Sequence, residues 1–219
     1  MRVAALYDVH AMPWALEAVL AEVDADTIVF GGDFLGGPFP QETLDRIRSL
    51  DAIVVRGNAE DGQPRGWDAT QVSAEGLAWV ESLPLTAEAD GVLYCHATPS
   101  SNLPATTART PDQAFAELFK GTTGTVVIGH THHQFDRRVG DLRVVNAGSV
   151  GMPYEDDVAA FWALVDDGEP RFMRTEFDIE RAVQRTRASG WPMADEFVAE
   201  NLLTAVSRDE VIDLIEAQR

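Results

Sequence analysis

The first sixty residues alternate short apolar runs with helical patterns. Residues 2–7 read as a buried strand that stops at Asp8-Val9-His10. Pro13 suits the first turn of a helix, and Leu16, Val19, Leu20 and Val23 follow at helical spacing. Residues 27–30 form the next strand, ending in Gly31-Gly32-Asp33. A helix over about 41–50 puts Leu44, Ile47 and Leu50 on one face, and a third strand over 52–55 ends in Arg56-Gly57-Asn58. Strands alternating with helices predict parallel crossovers and an α/β layer architecture.

The second half is richer in hairpins. Residues 85–89 and 92–95 flank the turn pair Asp90-Gly91. Thr110-Pro111-Asp112-Gln113 predicts a helix start of the capping-box kind, with proline at the first helical position. Residues 125–128 are β-branched and lead into Gly129-His130-Thr131-His132. Runs at 135–139 and 142–145 flank Gly140-Asp141, and a run over 159–165 precedes Asp167-Gly168, which predicts two more hairpins. From Asp178 the pattern is helical, broken at 190–192 and around 204–207, with Ser207 and Glu210 as a capping box for the last helix. Apolar faces over 195–203 and 211–215 are expected to pack on the rest of the chain. No internal repeat, low-complexity tract or long linker interrupts it.

Length and composition narrow the class. At roughly 100–200 residues per domain, 219 residues with 45% hydrophobic content suit one domain over 1–219, with a helical C-terminal appendage over 178–219. The longest wholly apolar run, 158–165, is far below the roughly 18 residues of a membrane span, so no membrane partner is expected. Asp8 and His10 break the first apolar stretch where a secretory signal would place its hydrophobic region. One cysteine, Cys95, excludes an internal disulfide and suits a reducing cytoplasm, the expected location. Seventeen basic against 36 acidic residues give a formal net charge of −19. Duplex nucleic acid is therefore excluded as the main partner, because phosphate contacts need clustered Lys and Arg. A phosphate substrate still fits if a local cation reverses the field.

Chemistry-bearing residues collect at strand ends: Asp8 and His10, Asp33, Asn58, His96, and His130 with His132. Ligands of open α/β sheets gather where strand carboxyl ends meet loops, so the set is expected to converge in one crevice. Imidazoles, carboxylates and one amide oxygen without a thiolate suit borderline or hard divalent ions. Seven ligands exceed one tetrahedral site and suffice for two metals if one carboxylate bridges. Residues i and i+2 share a face of an extended segment, which would aim both side chains of Asp8-Val9-His10 and of His130-Thr131-His132 at one site. Gly31-Gly32 lets the backbone bring Asp33 close.

Asp8-Val9-His10, Gly31-Gly32-Asp33, Gly57-Asn58, Cys95-His96 and Gly129-His130-Thr131-His132 resemble, in order and spacing, the motifs of the calcineurin-like metallophosphoesterases. The resemblance runs from Met1 to about Tyr154, and residues 146–151 resemble the strand-closing segment of small bacterial, phosphodiesterase-type members. It implies a four-layer α/β-β/α sandwich on two mixed sheets. It also implies one metal on Asp8, His10, Asp33 and His132, and another on Asp33, Asn58, His96 and His130. Mn²⁺ is the first expectation, with Fe²⁺, Zn²⁺, Ni²⁺ and Mg²⁺ as alternatives. Two cations roughly 3.5–4 Å apart hold a bridging hydroxide and a phosphoryl group, so no Ser or Cys nucleophile is needed. Arg56 is a candidate phosphate clamp. Many relatives carry a proton-donating His after the Gly-Asn pair, where this chain has Ala59-Glu60. Ala11 and Met12 stand where relatives have Gly and Asn, and Ala97 where a Gly is common.

The implied activity is hydrolysis of a small phosphorylated substrate of the nucleotide-like kind, diesters before monoesters. Rival readings are a phosphomonoesterase, a non-catalytic metal-containing scaffold, and a sensor of phosphorylated ligands. Taken one at a time, Asp8 suits a helix cap, Asp33 and Gly57-Asn58 suit turns, and His96 suits a core position. His133 is expected at the surface, Cys95 as a small buried hydrophobe, and residues 155–157 as a solvated acidic turn. The oligomeric state is left open.

Overall fold

Side chains of β1 (Arg2–Leu6) alternate between two environments because successive residues of a strand face opposite sides. Val3 and Ala5, continued by Tyr7, join one buried cluster, whereas Ala4 and Leu6 join another. That division sets the layers in the computed structural model, which describes residues 1–62 and 66–219. β1 pairs in parallel with β2 (Thr27–Phe30), and β2 with β3 (Ala52–Val54). On its other side β1 meets β9 (Ala160–Asp166) antiparallel, and β10 (Glu169–Thr175) closes that edge. The second mixed sheet runs β4 (Thr86–Ala89), β5 (Val92–Cys95), β6 (Gly124–Ile128), β8 (Leu142–Asn146), β7 (Phe135–Val139). Its β5–β6 and β6–β8 pairs are parallel and its two edge pairs antiparallel.

Val3, Ala5, Tyr7, Tyr94, Val127 and Val165 fill the space between the sheets. The outer face of the first sheet is covered by α1 (Pro13–Glu22), α2 (Pro40–Arg48) and α4 (Ala74–Ser82), joined by Phe197, Val198 and Leu202 from the C-terminal region. The outer face of the second packs Val126, Ile128 and Val144 on Phe115 and Phe119 at α5 (Asp112–Leu118). Helices outside two facing sheets make the four-layer sandwich that the resemblance implied. Proline opens both α1 and α2, where its missing N–H is not needed. No helix among the described residues is long and apolar enough to cross a membrane.

The strand–helix alternation and the three hairpins stand where the apolar pattern predicts them. Two short helices escaped it, α3 (Trp67–Gln71) and α4, although Ser73 marks the start of α4 by accepting from the Gly76 N–H. Thr110 does not cap α5. Pro111, extended at ψ 142°, occupies the cap, and the Thr110 hydroxyl donates to Glu216 instead. The C-terminal region folds as α6 (Ile179–Ala188), α7 (Ala194–Phe197) running into a π-helical turn over Val198–Leu202, and α8 (Arg208–Ala217). Ser207 stands at the α8 cap position, but its side chain makes no capping bond. Glu155 departs from the expected solvated turn. Its side chain is only 5% exposed, accepts from the Gln134 N–H and pairs with Arg208 at 3.1 Å.

Candidate metal centre

Leu6 pairs with Phe30 and Phe30 with Val54, so β1, β2 and β3 end abreast and their loops leave from one edge. Tyr94 pairs with Val127 and Ile128 with Asn146, which aligns the corresponding ends of the second sheet. The β1 and β2 loops are stitched together by Asp8 N–H to Gly32 O, His10 N–H to Asp33 O and Ala11 N–H to Phe34 O. The backbone there is not extended, and the i, i+2 rationale does not hold. Asp8, His10, Ala11, Asp33, His130 and His132 all have φ between +47° and +69°. Left-handed residues of this kind persist only where the surroundings over-determine them. Their hydrogen bonds do so here, and they send the two histidines of His130-Thr131-His132 to different places.

Two groups of side chains result, Asp8–His10–His132 and Asp33–His96–His130, each with its candidate ligand atoms within 4.8 Å of one another. Asp33 lies between the groups, with Oδ1 3.4 Å from His96 Nε2 and Oδ2 4.0 Å from His10 Nε2. Asn58 joins the second group through Oδ1, 3.0 Å from His96 Nε2. Glycine is required behind both carboxylates: a Cβ on Gly57 would stand 2.1 Å from Asp33 Oδ1, and one on Gly129 2.3 Å from Asp8 Oδ2.

Each of the four imidazoles has one ring nitrogen against a backbone carbonyl. His10 Nδ1 faces Leu35 O at 3.2 Å, His96 Nδ1 faces Gly31 O at 3.0 Å, His132 Nδ1 faces Met152 O at 2.7 Å, and His130 Nε2 faces Leu103 O at 3.2 Å. A carbonyl only accepts, so each of those nitrogens carries a ring hydrogen, and wherever the ring is neutral the other is a bare lone pair. The bare nitrogens of His10 and His132 meet at 3.0 Å, and that of His132 lies 3.2 Å from Asp8 Oδ1. Asp8 Oδ1 is buried with no hydrogen-bond partner among the described residues. Lone pairs packed against lone pairs around two carboxylates form a donor set for cations, and carbonyl-anchored imidazoles are the usual outer support of a metal site.

The electrostatics agree. Burial, then His132, pushes His10 down to about 4, which keeps it neutral. Burial and then His96 lower His130. Burial opposes protonation of His96 too, but Asp33 outweighs it and lifts that ring to about 10, so a proton and a cation compete for the same place. For Asp33, burial alone would raise the pKa, yet His96 and the Ala59 N–H hold it well below the ordinary carboxylate range.

Three further residues lie at or beside the site without having been given a place in it by the sequence reading. Glu60 is buried and accepts from the backbone N–H groups of Asp33 at 2.7 Å, Gly57 at 2.8 Å and Leu35 at 3.0 Å. Burial, and then the Asp33 charge, lift its carboxyl to about 8. Tyr154 stacks on the His132 ring with centroids 4.8 Å apart. His133 is buried rather than superficial, with Nδ1 on Thr131 O and Nε2 without a hydrogen-bond partner among the described residues. Arg56 stands outside both groups, its Nε 3.1 Å from Asp61 Oδ1. Cys95 is buried, and burial pushes its thiol up to about 12.

The calcineurin-like phosphoesterase superfamily domain matches residues 1–167. Among solved structures, a metallophosphoesterase from Sphaerobacter thermophilus is 27% identical, covers 94% of this chain and all of its own, and superposes with a TM-score of 0.79. A hypothetical protein from Pyrococcus horikoshii shares the fold at 17% identity and a TM-score of 0.73, over 90% of this chain and 97% of its own. Yfce, a phosphoesterase from E. coli, is 20% identical over 81% of this chain and all of its own, with a TM-score of 0.50. No curated protein matches the sequence.

Proposed function

Because the chain belongs to the calcineurin-like phosphoesterase superfamily, we propose that it hydrolyses phosphate esters with two divalent cations and that diesters are its preferred class. In this reading Asp8, His10, Asp33 and His132 hold one cation, and Asp33, Asn58, His96 and His130 the other. Mn²⁺ is the first candidate. The observation that carries the reading is the set of imidazole nitrogens left free by the carbonyls and turned on each other and on Asp8 and Asp33. When bound, such a pair of ions supplies an activated water at neutral pH and positive charge for the phosphoryl oxygens.

The protein's own part is placement. Asp33 spans the two groups, and Glu60 fixes its loop by tying the Asp33 and Leu35 amides to that of Gly57. Asp8 is held from behind by the His130 N–H at 2.9 Å on Oδ2, and its backbone carbonyl accepts from Ser149 Oγ at 2.7 Å. Two features favour diesters. Ala59 has no proton to give a departing alkoxide, which favours activated leaving groups. Arg56 is paired with Asp61, so the second negative charge of a monoester meets less compensation on a chain of net charge −19. A small, nucleotide-like phosphodiester is the proposed substrate class, and duplex nucleic acid is not.

Initial rates on bis-para-nitrophenyl phosphate and para-nitrophenyl phosphate, with Mn²⁺ and with chelator, test this. Chelator-sensitive turnover favouring the diester is expected. Monoester preference would overturn the diester assignment, and two bound metals without turnover of either ester would favour a sensor or scaffold.

A further inference from the structure

We infer that Glu216 on α8 is a positioning residue for His130, acting through the 101–110 loop, so that the C-terminal helix governs how firmly the second cation is held. This rests on reading the two side-chain groups as a two-cation centre. His130 is the partly exposed member of its group, whereas Asp33 and His96 are buried. Its outer nitrogen is held by Leu103 O at 3.2 Å. The Leu103 side chain is 73% exposed, so apolar burial does not fix this part of the loop. Polar tethers must.

Those tethers converge on one helix face. Glu216 Oε1 accepts from Thr107 Oγ1 at 2.6 Å and from Thr110 Oγ1 at 2.7 Å. Arg109 pairs with Asp209 and Asp213, which stand four residues apart and three or more before Glu216, on the same side of α8. Arg219, itself paired with Glu216, donates to Ala105 O at 2.9 Å and Thr110 Oγ1 at 2.8 Å. The Arg109 pairs are solvent-exposed and individually weak. Glu216 differs because one carboxylate oxygen gathers two hydroxyls of the loop, and such charge-assisted bonds are the stronger kind. Toward the site, Thr106 O accepts from Thr131 Oγ1 at 2.8 Å, and Thr131 separates His130 from His132 in the chain. Asn102 Nδ2 ties the other end of the loop to Asp61 at 3.0 Å. A continuous path thus runs from Glu216 through Thr107 and Thr110 to the Leu103 carbonyl and His130. α8 lies beyond residues 1–167, the part that the family model matches.

Calorimetric titration of metal-free protein with Mn²⁺, together with hydrogen exchange over 101–110, tests the inference in wild type, Glu216→Ala, Glu216→Gln and Thr107→Val/Thr110→Val. Loss of an outer support typically costs about 10–100-fold in metal affinity. Glu216→Ala and the double variant should weaken the second Mn²⁺ by about tenfold or more, leave the first unchanged and speed exchange in the loop. Glu216→Gln keeps an accepting oxygen but loses the charge, and should fall between wild type and Glu216→Ala. If Glu216→Ala does not fold, the double variant, which leaves α8 intact, carries the test. Two Mn²⁺ bound equally well by wild type and the variants would overturn the inference and leave the two-cation reading standing. No Mn²⁺ bound by wild type would overturn that reading, and the inference with it.

Discussion

The two side-chain groups use the same chemistry and are supported by different means. Asp8, His10 and His132 are all buried, and their braces, Leu35 O, Met152 O and Ser149, belong to loops at the ends of neighbouring strands. Asp33 and His96 are as deeply set, but His130 depends on a carbonyl from a loop that α8 holds from outside. The second set has the Asn58 amide where the first has the Asp8 carboxylate, and its support comes from the periphery, so unequal hold is predicted: a firm first cation and a second whose affinity the periphery can tune.

Asp33 is the point where the comparison breaks altogether, because it faces both groups. Asp33→Asn should abolish turnover, a loss of at least about 100-fold, since even outer supports are worth about 10–100-fold. Wild-type rates in that variant would refute its shared role. Glu60→Gln comes next. The amide NH₂ or oxygen must face backbone N–H donors on both sides, and a buried donor left unpaired costs about 1–3 kcal/mol. A lower Tm and weaker binding of both cations are expected by thermal unfolding and metal titration; a change confined to one cation would contradict the bracing of both loops. His130→Ala sharpens the comparison further. It should retain one tight Mn²⁺ per chain, whereas His10→Ala should weaken the tight site itself. The smallest effect concerns Cys95. Buried, with its thiol pushed up to about 12, it should resist a disulfide reagent in the native state at pH 8 and react at once in denaturant.

Strand ends and their polar residues were legible because apolar runs stop abruptly at Asp8, Asp33, Asn58, His96 and His130, and a run of buried side chains is what the period of a strand records. Backbone hand was not: no apolar periodicity encodes that Asp8, His10 and His132 turn left-handed, so the route by which they meet could not be read. Glu60 and Glu155 look like ordinary surface acids, since their value lies in unpaired amides that appear only when distant loops meet. His133 is buried, not superficial, and its surroundings include Arg208 and Glu216 from the C-terminal region, which no local pattern brings to it. Thr110 had a local use as a helix cap and a distant one with Glu216, 106 residues away, and the distant one prevailed.

The most direct test of the two-cation account is a single titration of metal-free protein with Mn²⁺ in which bound metal and hydrolysis of bis-para-nitrophenyl phosphate are followed together. Two equivalents per chain are predicted, with turnover rising as the second binds and vanishing on chelation. Full turnover with one equivalent or fewer, or turnover that survives chelation, would contradict it.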